Sequence, residues 1–221
     1  MRIGLICGAF ALAGFACNAS AQAIAARAGS TGFGGDLGFS VTDAFGLRGT
    51  LYGGSVSRNL TESGVRYESQ LRFGTAMALA DFHPGRGRFR LSTGLAYNNN
   101  RFDLVARGTS GTIEINDRTY NISEVGTVNG RLRFNRTNPY IGLGWGTAAR
   151  SAGPGLFFSA DIGILFVDPT VTLSANCSPA FSAAQCAQLQ ADLRAEEQEF
   201  EDETFFRRRY PVLSFGIGYR F

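Results

Sequence analysis

The chain has 221 residues, is rich in glycine (29) and phenylalanine (19), and carries 18% charged residues with a formal net charge of +3. This length suits a single domain, and a net charge this small gives no reason to expect a nucleic-acid partner. Beyond the N-terminus no run of 18 apolar residues predicts a transmembrane helix.

The N-terminal segment predicts a signal peptide over residues 1–23. Arg2 supplies the positive start, residues 3–15 form an apolar stretch, and residues 21–23 (AQA) match the small-residue cleavage pattern. Residues 19–21 (ASA) are a near alternative. Cys17 would suit a lipoprotein, but the leucine expected three positions earlier is missing.

From residue 24 onward, apolar and polar residues alternate with a period of two, which is typical of β-strands with one apolar face. The last strand is the clearest case, because Leu213, Phe215 and Ile217 share a face opposite Ser214 and Gly216. In the strand at 65–83, the same pattern assigns Leu71, Phe73, Thr75, Met77 and Leu79 to the apolar face. The predicted strands are 24–29, 31–42, 45–57, 65–83, 87–105, 137–147, 155–167 and 208–221.

The segments between the strands alternate between short turns and longer polar loops, as in outer-membrane barrels. If Phe221 marks the periplasmic end, parity requires one upward strand before residue 31. Residues 24–29 supply it, and the total becomes an even eight. The longer segments are 57–65, 106–136 and 168–207.

Two insertions interrupt the strand pattern. Residues 112–115 and 118–122 flank Asn116 and Asp117, which predicts a β-hairpin beyond the membrane. Residues 183–204, within the long outer loop 168–207, are acidic and helical in propensity. A surface helix is the first interpretation; a disordered acidic loop, a partner-binding helix or a lid over the barrel are the alternatives.

The chemistry of the two strand faces separates a membrane barrel from a soluble β-sandwich. Aromatic residues cluster at strand ends, where an interfacial girdle would lie. The polar faces are dense in glycine, which suits a narrow lumen better than a wet surface. We therefore predict an all-β, transmembrane, antiparallel up-and-down β-barrel of about eight strands over residues 24–221.

The predicted inward face carries acidic and basic side chains that must pair in an enclosed lumen. Arginine suits such pairing, since its planar fork holds a carboxylate at two points. We interpret the set as a network that plugs the barrel; solvated charges lining a small channel are the alternative. The predicted members are Asp36, Arg48, Glu68, Arg72, Arg90, Asp161 and Arg220.

Three stretches resemble the small eight-stranded outer-membrane barrels of the OmpA-like and OmpW-like kind: residues 26–29 (ARAG), 41–48 (VTDAFGLR) and 216–221 (GIGYRF). The resemblance implies a location in the outer membrane. It also implies that the barrel-assembly machinery reads the C-terminal Tyr219 and Phe221. Lipid and lipopolysaccharide are the expected partners, and a monomer is the favoured state.

The sequence gives no sign of catalytic chemistry, so we predict no enzyme, no cofactor and no metal. His83 is the one histidine, and parity places it at the periplasmic end, away from the outer leaflet where lipid A-modifying barrels need their base. Cys177 and Cys186 could form a local disulfide in an oxidising compartment.

A structural or surface-interaction role is the first functional hypothesis. Passage of small apolar solutes, as in OmpW-like barrels, is the alternative, and a lipid A-modifying enzyme comes third. The apolar residues expected at the outer mouth for solute passage are Phe102, Leu104, Phe134, Phe205 and Phe206.

Overall fold

The structure is a computed structural model that describes residues 22–62, 64–108, 110–146, 153–179, 181–202 and 208–221. The predicted signal peptide lies outside the described residues except for Gln22 and Ala23, which begin the first strand. Phe205 and Phe206 also lie outside them.

Thirteen strands and two α-helices make up the described chain. The strands are β1 (Gln22–Gly29), β2 (Gly32–Ser40), β3 (Phe45–Glu62), β4 (Val65–Phe82), β5 (Phe89–Asn98), β6 (Arg101–Gly108), β7 (Thr112–Ile115), β8 (Arg118–Asn121), β9 (Thr127–Phe134), β10 (Thr137–Trp145), β11 (Gly155–Phe166), β12 (Pro169–Asn176) and β13 (Arg209–Arg220). The helices are α1 (Ile122–Val125) and α2 (Ala183–Asp202).

Eight of the strands close into an antiparallel ring, which we call the barrel. Its order is β1, β2, β3, β4, β5, β10, β11 and β13, and β13 pairs back to β1 through Ala23↔Arg220 and Gly29↔Ser214. Closure leaves no free sheet edge within the ring, so the strand hydrogen bonds are satisfied all round. The predicted all-β antiparallel ring of eight strands is confirmed.

Part of the sheet continues beyond the ring as a five-stranded outer wall. It consists of residues 54–62 of β3 and 65–72 of β4, followed by β6, β9 and β12. The outer wall lies on one side of the barrel only. On the other side, β1 and β2 end in a tight turn after the pair Gly29↔Gly32 and do not extend beyond the ring. There the Tyr210 hydroxyl donates to the Ser30 carbonyl oxygen at 2.5 Å.

The apolar face changes sides between the barrel and the outer wall. In the part of β3 that belongs to the ring, Leu47 and Leu51 face outward and are exposed, whereas Arg48 and Thr50 face inward and are buried. The register of β3 with β4 continues without a shift to Glu62↔Val65. The outward residues nevertheless become polar, starting at Ser55, so the pleat is constant while its chemistry inverts.

A small hydrophobic core covers the inward face of the outer wall. We call the elements that form it the cap: the hairpin β7–β8, helix α1 and helix α2. Their apolar side chains pack against the wall, and the buried members are Val65, Ala106, Ile115, Ile122, Val125, Val128, Ala175, Leu189 and Leu193. The hairpin turns at Asn116 and Asp117, both with positive φ (49° and 59°), as a two-residue type I′ turn requires.

Helix α2 lies along β12 and is tied to it at its N-terminal end. Cys177 and Cys186 form a disulfide with Cα atoms 6.0 Å apart. The Gln190 side chain donates to the Ala175 carbonyl at 2.9 Å. Among the described residues, no helix has both the length and the apolarity that crossing a bilayer demands.

The face assignment predicted for 65–83 is corrected by the structure. Phe73, Thr75, Met77 and Leu79 lie on the inward face of β4, and the outward-facing residues are the alanines 76, 78 and 80 with Phe82. In the part of β4 that belongs to the ring, both faces of the strand are apolar. The alternation of residue types therefore could not show which face points inward.

Candidate functional site: the barrel interior

The ring strands bring six charged side chains together inside the barrel, and we call them the inner network. One cross-strand row carries two of its members: Arg90 of β5 and Asp161 of β11 both pair with Gly144 of β10, which lies between them. A Cβ atom at Gly144 would lie 2.5 Å from Arg90 Nε and 2.6 Å from Asp161 Oδ1. Because Gly144 has no side chain, it leaves the space that the ion pair between Arg90 and Asp161 occupies.

Asp161 is the first centre of the inner network. Its carboxylate accepts from Arg90 Nη2 at 2.6 and 2.7 Å and also from Arg27. Arg48 Nη2 approaches it at 3.4 Å. Three guanidinium groups thus converge on one carboxylate. The excess positive charge must be balanced by further carboxylates.

Asp81 and Asp36 provide that balance on the other side of the lumen. Arg48 holds Asp81 with two hydrogen bonds, of 2.8 and 3.1 Å, in the bidentate geometry that arginine favours. The Ser92 hydroxyl donates to Asp81 at 2.6 Å. Asp36 accepts from Arg27 and lies 3.6 Å from Arg48.

The inner network is neutral as a whole, with three arginines and three aspartates. Their side chains are only 2–9% exposed. Below it lies a cavity of about 40 Å³ bordered by Arg48, Asp81 and His83. That volume holds no more than a few water molecules.

A second layer, made of apolar side chains, fills the lumen between the inner network and the outer wall. Tyr140 is 3% exposed and lies over Gly142 and Gly163, where an added Cβ would come within 2.4 Å of its hydroxyl oxygen. Glycines on the inward face thus make room for large side chains. The buried members are Tyr52, Met77, Leu79, Ala96, Tyr140, Leu165, Val167 and Val212.

The structure unites only some of the side chains that the sequence assigned to the interior. Asp36, Arg48, Arg90 and Asp161 lie in the inner network. Arg220 also faces inward, at the end of the barrel where Phe221 and His83 lie, but it is not part of the inner network; its guanidinium donates to the Gly153 carbonyl at 2.9 and 2.7 Å.

Glu68 and Arg72 are corrected, because both lie on the outward face of the outer wall. Arg72 donates to Gln70 Oε1 at 3.0 and 2.7 Å. The alternation in β4 placed these two residues on the wrong side, for the reason given above.

Two members of the inner network were missed from the sequence. Arg27 could have been found, since it follows Ala23 and Ala25 at the period of two in β1. Asp81 lies at the end of β4, and the inverted face assignment of that strand concealed it. Within the described segments, no group of three or more His, Cys, Asp and Glu side chains could hold a metal ion.

The exposed apolar side chains on the outside of the ring, the closed ring of eight strands and the filled lumen define the class: this is a small β-barrel of the outer-membrane type. The solved structures that share the fold include two from Acinetobacter baumannii. CarO2 matches with a TM-score of 0.67 and 21% identity over 93% of this chain and 100% of that one. CarO matches with a TM-score of 0.64 and 19% identity over 90% and 97%. No family model and no curated protein matches the sequence.

Proposed function

We propose that the chain is an integral outer-membrane β-barrel, closed to bulk flow, whose outer wall and cap present a surface for interactions outside the cell. The observation that carries the proposal is the double filling of the lumen. Six paired charges and a layer of apolar side chains lie one above the other inside a ring of eight strands. A ring of this size is just wide enough for side chains to fill.

The outward face of the barrel supports insertion into a membrane. Leu51, Ile141 and Phe215 are 45%, 55% and 59% exposed, and they belong to a continuous apolar belt around the ring. In water, exposing such a belt would cost about 25 cal/mol for each Å² of apolar surface, a cost that hydrocarbon removes.

The orientation follows from the two chain ends. The first and last strands pair at Ala23↔Arg220, so the start of β1 and Phe221 lie at one end of the barrel. We take this as the periplasmic end, where Tyr219 and Phe221 would serve as the assembly signal. The outer wall and the cap then project beyond the outer leaflet.

The position of β1 favours signal cleavage after Ala21 over cleavage after Ala23. Gln22 pairs with Phe39, and Ala23 pairs with Gly38 and Arg220. Removing both residues would shorten the strand that closes the ring. The mass of the mature protein distinguishes the two sites.

Conductance in planar lipid bilayers tests the closed state. The wild type is expected to give no large, steady single-channel current, whereas Arg48→Ala combined with Asp81→Ala, which empties part of the lumen without changing its net charge, should raise the current. The matched control is Arg131→Ala combined with Asp103→Ala, a pair in the outer wall. A large wild-type conductance would refute the plug.

The proposal includes a non-enzymatic role. His83 follows β4 at the end of the barrel where Phe221 lies, and its backbone N–H donates to the Ala44 carbonyl at 2.7 Å. The side chain is buried next to the inner network rather than at the outer mouth. Loss of a lipase or acylase activity in purified His83→Ala would contradict this part.

Passage of apolar solutes is the second candidate, and one observation favours it. Phe102, Leu104 and Phe134 are half-buried on the inward face of the outer wall, between the apolar layer and the cap. They could receive a small apolar molecule at the outer mouth. Uptake of such a solute into liposomes, compared between the wild type and Leu104→Asp, distinguishes the candidates.

A further inference from the structure

The outward face of the outer wall carries three arginines side by side, which we call the arginine row. The strand registers place Arg72 of β4 opposite Arg101 of β6, and Arg101 opposite Arg133 of β9. Directly opposed residues have Cβ atoms about 5 Å apart, and like charges in that relation destabilise a sheet. An arrangement of this kind calls for an anion that bridges the three guanidinium groups.

The arginine row begins where the apolar belt ends. Along the outward face of β5 and its continuation into β6, the order is Tyr97, Asn99 and Arg101. The neighbouring strand carries Ala76, Gly74 and Arg72 at the matching positions. About 13 Å of strand separates Tyr97 from Arg101, which is the step from the aromatic interface to the level of lipid headgroups.

Acidic partners do not offset this charge. In the part of the chain that the structure describes, Asp103 supplies the one carboxylate within 4 Å of the arginine row or of Arg131 in the next row. It lies 3.1 Å from Arg101 and 2.8 Å from Arg131. Arg72 donates only to the neutral Gln70 amide oxygen. Four cations thus share one carboxylate.

We infer that the arginine row binds the phosphate groups of a phosphorylated glycolipid headgroup in the outer leaflet. The inference rests on the proposed orientation in the outer membrane. The chain contains no lysine, so every cation here is a guanidinium, which binds phosphate through two parallel hydrogen bonds. A ligand with two phosphates on a disaccharide would span adjacent strands, whereas a single free phosphate would meet one or two arginines in open water.

The test measures how tightly a glycolipid binds to the full-length folded protein in phosphatidylcholine nanodiscs. The glycolipid is either diphosphorylated lipid A or the same molecule without its phosphates. The wild type should prefer the phosphorylated form by at least about tenfold. Arg72→Gln combined with Arg133→Gln should weaken that binding by about 30-fold, because each arginine near a charged lipid surface contributes about fivefold to the affinity.

Arg66→Gln combined with Arg107→Gln is the matched control. These residues are also opposed on the outward face of β4 and β6, but they lie six residues further from the apolar belt. The control should bind like the wild type. Equal affinity for both glycolipids, or an equal loss in both double variants, would overturn the inference.

Two further arms identify the source of a failure. Excess inorganic phosphate should not displace the glycolipid, and displacement would show a free-phosphate site instead. Only protein with heat-modifiable gel mobility is counted as folded. If the wild type never reaches that state in lipid, the proposed function fails together with the inference; if it is folded but indifferent to the phosphates, the inference alone fails.

Discussion

The barrel and the outer wall share the strands β3 and β4, yet their outward faces differ, being apolar in the barrel and polar in the outer wall. In the barrel, Leu51 faces outward at 45% exposure while Asp161, facing inward, is 4% exposed. In the outer wall, Arg72 faces outward and Val65 and Val128 are buried inward. The pleat fixes which residues share a face, but the surrounding medium decides which face is apolar.

The outward face changes from apolar to polar within single strands. In β3, the outward residues run from Leu51 through Gly53 to Ser55, and in β4 they run from Ala76 through Gly74 to Arg72. Neither strand has a bulge there, since the register is constant. The glycines occupy the boundary, where neither a lipid-facing nor a water-facing side chain is required.

The largest contrast between the regions should come from their ion pairs. Asp161→Asn leaves three buried guanidinium groups with one carboxylate fewer, so we expect a loss of about 3–5 kcal/mol in the free energy of unfolding. Asp103→Asn breaks an exposed cluster in the outer wall and should cost about 1 kcal/mol or less. Urea unfolding in lipid vesicles, followed by fluorescence of the single tryptophan, Trp145, measures both. Equal losses would contradict the buried network.

The inverted outward faces give the next largest effect. Ile141→Arg places a charge on the lipid side of β10 and should destabilise the protein by about 2–4 kcal/mol. Asn129→Arg changes the outward face of β9 in the outer wall, in water, and should leave stability nearly unchanged. The same unfolding measurement compares them. A tolerated arginine at position 141 would mean that the belt does not face hydrocarbon.

The comparison also explains what could be predicted from the sequence. Strands such as β13 carry strict alternation between large apolar residues and Ser, Gly or Arg, so their faces were assigned correctly. In β4, Met77 and Leu79 oppose alanines, so both faces are apolar and the alternation has no decisive phase. Glu68 and Arg72 were misplaced because the apolar face was taken to face outward along the whole of β4, whereas in the outer wall the apolar face is the inward one.

The pairing of the inner network depends on register, which the sequence does not fix. Asp36, Arg48, Arg90 and Asp161 could be assigned to the inward face by their own strands. Which carboxylate meets which guanidinium depends on stagger around the ring, as in the contact of Arg27 with Asp161 across 134 positions. Such contacts follow from closure of the barrel rather than from any local pattern.

A smaller effect, confined to the cap, should follow loss of the disulfide. Cys177→Ser combined with Cys186→Ser opens a short loop and should weaken the attachment of α2 by about 2–3 kcal/mol on the chain-entropy model. Hydrogen exchange in residues 183–202 should accelerate, while the unfolding transition reported by Trp145 should not move. A shift of that transition would show that the cap and the barrel unfold as one unit.

The smallest expected effect is a pH dependence of the cap. Asp192 on α2 accepts a hydrogen bond from the Tyr120 hydroxyl, and this bond, with others from Gln188 and Asn116, holds the pKa of the Asp192 carboxyl below its ordinary value. A carboxyl whose pKa is lower in the folded than in the unfolded state contributes stability above its unfolded pKa, near 4, and loses it as the pH falls further. The protection of the α2 amides against hydrogen exchange, relative to their intrinsic exchange rates at each pH, should therefore fall below about pH 4.

Asp192→Asn should remove that acid response without affecting the barrel, and Tyr120→Phe should reduce it, because the largest contribution to the lowered pKa comes from the Tyr120 hydroxyl. Asp168→Asn, a change at an exposed carboxylate 3.8 Å from Arg208, is the control. If wild-type and Asp192→Asn caps loosened at the same pH, the acid response would have to arise elsewhere. The contact between α2 and the hairpin would then depend on Leu189, Leu193 and their apolar neighbours, together with the hydrogen bond that the Asn116 backbone N–H donates to Glu196 Oε2 at 2.9 Å.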